Sequence, residues 1–170
     1  MALKTEKIGI VVAKFVATGA WSGLSPKAPG TVGSLSAALV WLYVQHYHPG
    51  TLAASPIFLI AVTILLGVIA THLCIKNEKE SHAIDVDHPD PQHVVIDEWA
   101  GMFITLAAAS PDNLTHVVWA FVLFRFFDIT KPGFVRKLEK LPGAFGVMCD
   151  DIAAGLLAFL VFKAGMLFLS

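Results

Sequence analysis

One stretch of this chain limits its fold more than any other feature. Residues 56–75 form a run of 20 residues that contains no Asp, Glu, Lys or Arg. An α-helix of about 20 apolar residues is long enough to cross the hydrocarbon core of a bilayer. Every backbone amide inside a bilayer must find its partner within the protein, so helices and closed barrels are the structures that span it. The run therefore predicts a membrane-spanning helix.

The composition of the chain agrees with a membrane protein. Hydrophobic residues make up 56% of the 170 residues, charged residues 15%, and the mean hydropathy is +0.70. A soluble domain carries about 25% charged and about 45–50% apolar residues. A densely packed soluble helical oligomer is the alternative. The length predicts a single domain over residues 1–170.

The charge and the cysteines exclude other classes of protein. The net charge is -1, which gives no reason to expect a nucleic-acid partner. The two cysteines, Cys74 and Cys149, form no CxxC motif, which argues against a disulfide scaffold and a zinc site. The N-terminal segment lacks the pattern of a removable signal peptide.

Five further apolar segments are predicted to be helical. They are residues 8–20, 34–45 with a start as early as residue 32, 94–109, 114–127 and 152–169. Lysines interrupt the first segment, which indicates an amphipathic helix at the membrane interface. Three of the others are shorter than a simple span and need polar ends that are covered by protein. The predicted fold is all-α: a helical membrane bundle of about five short spans plus an N-terminal amphipathic helix, with four spans or a re-entrant pair as the alternatives.

Alternate crossing by five spans places most polar connections on one side of the membrane. Eleven of the 12 Lys and Arg residues lie on or near that side, and Lys163 is the exception. An excess of Lys and Arg in short loops marks the cytoplasmic side. The side with the polar connections is therefore predicted to be cytoplasmic.

Carboxylates at the ends of apolar segments converge on the same side. They are Asp97, Glu98, Asp128, Asp150 and Asp151. A charge at membrane depth is normally paired, hydrated or bound to an ion, and ligands that are all oxygen favour Mg²⁺ or Mn²⁺. The alternative is that Asp97 and Asp150 are helix N-caps or favourable charges near a helix N-terminus. That alternative explains neither the adjacent acids nor an acid at a helix C-terminus, so a metal cluster of these carboxylates is the prediction.

Basic residues near these acids predict a phosphate site. Arg125 and Asp128 are three residues apart and share one helix face, which is also compatible with a structural ion pair. A guanidinium matches phosphate bidentately, so Arg125 and Lys131 are predicted to clamp a phosphate. The loop before the apolar segment 34–45 contributes Gly30, which lets backbone amides approach an anion. Its hydroxyl residues Thr31 and Ser34 either cap the following helix or help to bind the anion, and an ordinary capped turn is the alternative.

Other phosphate-handling motifs are absent from the sequence. The chain has no Cys-x₅-Arg loop, no Walker A sequence and no GxSxG elbow. Asp85 and Asp87 are spaced like an aspartyl-phosphate motif, but Pro89 and the lack of a preceding apolar strand argue against one. The histidines of residues 82–93 are expected to be solvated or interfacial.

Four stretches of the chain match the motifs of one family, in that family's order. They are SGLSPKAPGTVGSL at 22–35, VVIDEWAGMFITL at 94–106, FVLFRFFDITKPGFVRKLE at 121–139 and GAFGVMCDDIAAG at 143–155. Each is moderately specific alone, and the set strongly resembles the bacterial phosphatidylglycerophosphatase A family. The polar loop at 76–93 matches less clearly, and no role is assigned to it.

The resemblance implies a multi-pass enzyme of the bacterial inner membrane that uses Mg²⁺ and faces the cytoplasm. Its lipid substrate would be phosphatidylglycerophosphate, hydrolysed to phosphatidylglycerol and inorganic phosphate. The residues expected to be catalytic are Asp97, Glu98, Asp128 and Asp151. Asp150 joins them as an expected metal ligand, while Arg125, Lys131, Gly30, Thr31 and Ser34 are expected to bind the phosphate.

The expected mechanism is in-line attack by water, with one carboxylate as general base. A covalent route through Thr31 or Asp97 is the alternative. Two other functions are weighed against it. A transporter would distribute its acids through the membrane depth, and a CDP-alcohol transferase would carry a long aspartate-rich signature opened by Asp-Gly, which this sequence lacks.

Overall fold

The computed structural model describes residues 2–80 and 93–169, and the regular structure of these residues is entirely helical. The α-helices are α1 Ala2–Ala17, α2 Pro29–Tyr47, α3 Pro56–Glu80, α4 Ile96–Leu106, α5 Leu114–Thr130, α6 Val135–Leu138 and α7 Ala144–Leu169. Short 3-10 helices at Ser22–Leu24 and Leu52–Ala54 precede α2 and α3. The prediction of an all-α fold is confirmed.

Within residues 2–80 and 93–169, two helices are long and apolar enough to cross a membrane. The stretch Pro56–Glu78 of α3 has a mean hydropathy of 2.5, and Ala144–Phe168 of α7 has 1.9. Only 22% of the α3 stretch is buried within the protein, and large side chains such as Ile57, Leu65 and Ile69 face outward. Leaving apolar surface in water costs about 25 cal/mol per Å². The exposed face of α3 therefore supports a membrane location.

Helix α7 begins earlier than the sequence indicates. It starts at Ala144, directly after Gly143 with its φ of 62°, whereas the predicted start is residue 152. The apolar residues before the acidic pair continue the helix, so the pair does not mark its beginning. Asp150 and Asp151 are consequently the seventh and eighth residues of α7, about two turns from its beginning. The alternative that Asp150 caps this helix is wrong.

Helix α2 also begins earlier, at Pro29 rather than at residues 32–34. Proline fits the first helical position because its missing N–H has no helical partner there, and its φ is preset. The residue before it, Ala28, has a φ of 49° and makes no side-chain capping hydrogen bond. Thr31 and Ser34 lie inside the helix, so the capping role considered for them is wrong.

Helix α4 occupies the centre of the bundle. It packs against α2, α3, α5 and α7, and nine of its 11 residues are buried. An 11-residue helix rises about 16 Å, which is about half of a 30 Å hydrocarbon core. Helix α4 is therefore a buried central helix, shorter than the predicted segment 94–109. Val95 occupies the N-cap position, so Asp97 is not an N-cap, but it lies in the first turn, where a negative charge is favourable.

A contact between two glycines brings α4 and α7 together. A Cβ atom on Gly155 would lie 2.5 Å from the carbonyl oxygen of Gly101, so the backbones approach to a distance that only glycine permits. The hydroxyl of Thr105 donates to both carbonyls, at 3.0 Å to Gly101 and 3.2 Å to Gly155. One helical turn before these glycines stand Asp97 and Asp151, respectively. The glycine contact therefore sets the distance between the acids of the two helices.

Candidate active site

One cleft of about 310 Å³ collects the ends of four helices. The first turns of α2 and α4, the last turn of α5 and the seventh and eighth residues of α7 surround it. Nine of the residues predicted for the site line the cleft: Gly30, Thr31, Asp97, Glu98, Arg125, Asp128, Lys131, Asp150 and Asp151. Ser34 does not line it. The fold therefore brings together residues that are up to 121 positions apart in the chain.

Three of the carboxylates form a close group, called here the acidic triad. Asp97, Glu98 and Asp151 each offer one oxygen, and these oxygens lie within 4.8 Å of one another. Asp97 and Asp151 are buried, and Oε2 of Glu98 is buried with no hydrogen-bond partner among the described residues. Three negative charges at this distance repel one another strongly in a site of low dielectric constant. An unpartnered oxygen and an all-oxygen ligand set fit a hard divalent cation.

The other two carboxylates are each paired with a base. Nη1 of Arg125 forms an ion pair with Oδ2 of Asp128, one helical turn further along α5. Nζ of Lys131 donates to Oδ2 of Asp150 at 2.7 Å and lies 3.3 Å from Oε1 of Glu139. Asp128 and Asp150 therefore each form an ion pair with a base of the cleft, and the other three carboxylates form the acidic triad.

Lys131 has an unusual backbone position. It ends α5 with a φ of 41°, in the left-handed region that costs a residue with a side chain about 1–2 kcal/mol. Pro132 follows, so the helix cannot continue. Burial of Lys131 opposes its charged form, but the hydrogen bond and the charge of Asp150, with Glu139, raise its pKa above the ordinary value. The ammonium group is therefore a permanent positive charge at the cleft.

The first turn of α2 forms another wall of the cleft. A Cβ atom on Gly30 would overlap Oε1 of Glu98 and would lie 3.2 Å from Nη1 of Arg125. Glycine is thus required here because both side chains rest against its backbone. A helix N-terminus attracts anions through its free amides and its dipole, and no side chain caps this one. The acids, the bases and this helix end suit an anionic ligand held with a cation.

Ser34 lies behind Arg125 rather than in the cleft. Its side chain is fully buried, and its hydroxyl donates to the carbonyl of Gly30 at 2.7 Å. The same oxygen accepts a hydrogen bond from Nη1 of Arg125 at 3.3 Å. Thr31, which was predicted together with it, does line the cleft.

Sequence reasoning missed three residues that shape the site. Gly101 and Gly155 each follow an acid by four residues, and this repeated spacing was a usable signal for a close crossing of helices beside the acids. Glu139 stands within a basic run, and nothing in its neighbourhood indicated a contact with Lys131.

The histidines of residues 82–93, which were predicted to be solvated or interfacial, lie largely outside the described part of the chain. The last of these histidines, His93, is described, and its Nε2 lies 2.9 Å from Oε1 of Glu78. Residues 81–92, which include Asp85 and Asp87, are not among the described ones.

Comparisons with known proteins agree on a family of lipid phosphatases. The family model for phosphatidylglycerophosphatase A matches residues 15–166. The chain is 36% identical over 155 residues to phosphatidylglycerophosphatase A of Escherichia coli, covering 90% of this chain and 80% of that protein. It is 38% identical over 147 residues to the enzyme of the same name from Haemophilus influenzae, covering 86% and 83%.

Another relative carries a different name. A Bacteroides thetaiotaomicron protein named putative phosphatidylinositol-3-phosphatase is 41% identical over 151 residues, covering 86% of this chain and 88% of that protein. No solved structure matches the chain significantly.

Proposed function

The chain belongs to the phosphatidylglycerophosphatase A family, and from this premise we propose that it removes the terminal phosphate of phosphatidylglycerophosphate in phospholipid biosynthesis. The products are phosphatidylglycerol and inorganic phosphate. One observation carries the proposal: a single cleft combines the acidic triad, two basic side chains and an uncapped helix N-terminus. This combination suits a phosphomonoester, whose charge needs both a cation and hydrogen-bond donors.

Mg²⁺ is the proposed cofactor, and Asp97, Glu98 and Asp151 are its proposed ligands. The unpartnered oxygen of Glu98 and the short distances within the triad support this assignment. When bound, the ion supplies a Lewis acid that polarises the phosphoryl group and offsets its charge. Asp128 and Asp150 were also predicted as ligands, and their ion pairs with Arg125 and Lys131 support a role in holding these two bases in place.

The basic side chains are proposed to hold the phosphate. Arg125 and Lys131 line the cleft from α5, and the amides of the first turn of α2 lie opposite them. Fixed donors of this kind stabilise charge that develops on the nonbridging oxygens without reorganising during the reaction. A water molecule attacks phosphorus in line, and a carboxylate of the cleft accepts its proton. The ester bond between phosphorus and oxygen breaks, and the oxygen, which stays on the glycerol headgroup of the lipid, takes up a proton to become a hydroxyl group.

The chain is proposed to cross the inner membrane with this cleft at the cytoplasmic face. Helices α3 and α7 are long enough to cross simply, and α2 and α5, of 19 and 17 residues, cross with their end residues at the interface. The shorter α4, together with residues 107–113 that connect it to α5, completes five crossings inside the bundle, where protein covers its polar ends. Helix α1 lies at the interface. Lys131 and the basic residues of α6 are at the end of the bundle that holds the cleft, which supports the cytoplasmic orientation.

The lipid headgroup is the feature on which the relatives' names differ. The name of the Bacteroides protein suggests a phosphoinositide as a second candidate substrate. Both candidates present a phosphomonoester on the polyol headgroup of a glycerophospholipid. The cleft chemistry described above serves either one, so the headgroup must be identified by experiment.

A substrate comparison tests the proposed function. The purified protein in detergent with Mg²⁺ is expected to release phosphate from phosphatidylglycerophosphate at least about tenfold faster than from phosphatidylinositol 3-phosphate or glycerol 3-phosphate, a difference of about 1.4 kcal/mol in transition-state binding. The Asp97→Asn variant, purified in the same way, corrects for contaminating phosphatases. Faster release of phosphate from the phosphoinositide would show that this lipid is the preferred substrate. No release from either lipid would reject a lipid phosphatase.

A further inference from the structure

We propose that Ser34 is a positioning residue that fixes the guanidinium of Arg125 in the orientation that binds the phosphate of the substrate. The inference rests on the proposed function, because it concerns the phosphate clamp of that same site. It assigns to Ser34 an action through Arg125, with no contact between its hydroxyl and the substrate.

The hydrogen-bond partners of Ser34 fix the direction of its hydroxyl. A serine hydroxyl has one hydrogen to donate and two lone pairs. The hydrogen goes to the carbonyl of Gly30, one turn earlier in α2, at 2.7 Å. A lone pair is thereby left facing α5, where it accepts from Nη1 of Arg125 at 3.3 Å. The hydroxyl is buried completely, so water does not compete for either bond.

Arg125 is held from two helices. Asp128 binds Nη1 from the same helix, and Ser34 binds Nη1 from α2, 91 residues away in the sequence. A guanidinium is planar and rigid, so two partners on one terminal nitrogen limit the rotation of the whole group. Nε of Arg125 is buried without a hydrogen-bond partner in the described part of the chain, although the residue lines the cleft. The guanidinium therefore keeps a donor that no described residue uses.

The face of α2 that carries Ser34 lies close to the side chains of Glu98 and Arg125. Gly30 and Ser34 are four residues apart and so lie on one face. A side chain at Gly30 would meet both Glu98 and Arg125. A bond to the Gly30 carbonyl alone would satisfy a buried serine, and the second bond to Arg125 connects this face to the cleft.

A double-mutant cycle tests the inference with phosphatidylglycerophosphate as substrate. Ser34→Ala is expected to lower kcat/KM about tenfold, which corresponds to about 1.4 kcal/mol, because Arg125 loses one of the two partners that orient it. In the Arg125→Ala background the same change is expected to cost less than about twofold, because the group it positions is gone. Ser34→Cys, which offers a weaker acceptor in a similar volume, is expected to fall between wild type and Ser34→Ala.

Thr105 provides a matched control. Its hydroxyl is also fully buried and also donates to a carbonyl one turn earlier, that of Gly101, but it does not contact Arg125. Any loss of kcat/KM in Thr105→Ala should therefore be the same with and without Arg125→Ala.

Two results overturn the inference. The first is an equal loss from Ser34→Ala or Ser34→Cys in both backgrounds, and the second is wild-type kcat/KM in Ser34→Ala. Both results can be observed only in a protein that releases phosphate. Either one therefore rejects the positioning role of Ser34 and leaves the proposed function intact. A wild-type protein that releases no phosphate rejects the proposed function, and the inference with it.

Discussion

Asp151→Asn is expected to lower kcat for phosphate release by about 10³-fold while the protein stays folded. Asp151 is 4% exposed and belongs to the acidic triad with Asp97 and Glu98. Asparagine keeps the size of the side chain but removes one of the three negative charges that would hold the cation. A loss of about 4 kcal/mol of transition-state stabilisation gives this factor, at 1.36 kcal/mol for each tenfold change.

The thermal stability of the Asp151→Asn variant is expected to increase, although its kcat falls. Without a cation, the three carboxylates repel one another, so removing one charge is expected to raise Tm in the presence of a chelator. The control is Asp112→Asn. Asp112 is an exposed acid near Tyr47 at the far end of α2, so the kcat of this variant should stay within about twofold of the wild-type value. Retention of more than a tenth of the wild-type kcat by folded Asp151→Asn would contradict the assignment.

Arg125→Lys is expected to lower kcat/KM by about 10²-fold, in spite of the retained positive charge. Lysine cannot present the planar fork that binds two phosphate oxygens at once. It also cannot reproduce the two bonds that Nη1 makes to Ser34 and Asp128. Removing a single preorganised donor from an active site costs about 10²–10³-fold in rate.

The matched control for this change is Arg136→Lys. Arg136 is exposed in the short helix α6, outside the residues that line the cleft. Its replacement should change kcat/KM by less than about twofold, measured with the same lipid. Comparable losses in the two variants would indicate a general effect of basic charge at the membrane surface and would refute a specific role of Arg125.

The apolar segments were predictable because a long segment with few charged residues has few stable structures other than a helix in a membrane or a protein core. Residues 56–75 and 114–127 appear as parts of α3 and α5, with ends extended by a few residues. The beginning of α7 was not predictable in this way, because a pair of acids inside a helix looks like its boundary. The beginning of α2 at Pro29 was missed because Thr31 and Ser34 resemble caps.

The candidate site was predictable as a set of residues but not in its internal arrangement. When helices cross in alternating directions, every second connection lies on the same side of the membrane. This was sufficient to predict that the acids lie near Arg125 and Lys131. The division of the acids into a triad and two ion pairs depends on distances of a few ångströms, which the glycine contact between α4 and α7 sets. The burial of Ser34 depends on which face of α2 meets α5, and the early part of that helix has no polar–apolar pattern that reveals it.

The central claim is that the acidic triad holds a divalent cation required for phosphate release. The most direct measurement is release of phosphate from phosphatidylglycerophosphate by the wild-type protein in detergent, before and after EDTA and again after Mg²⁺ is returned. Chelation is expected to lower the rate by at least about 10²-fold, and Mg²⁺ is expected to restore it. A rate that EDTA leaves unchanged would contradict the claim.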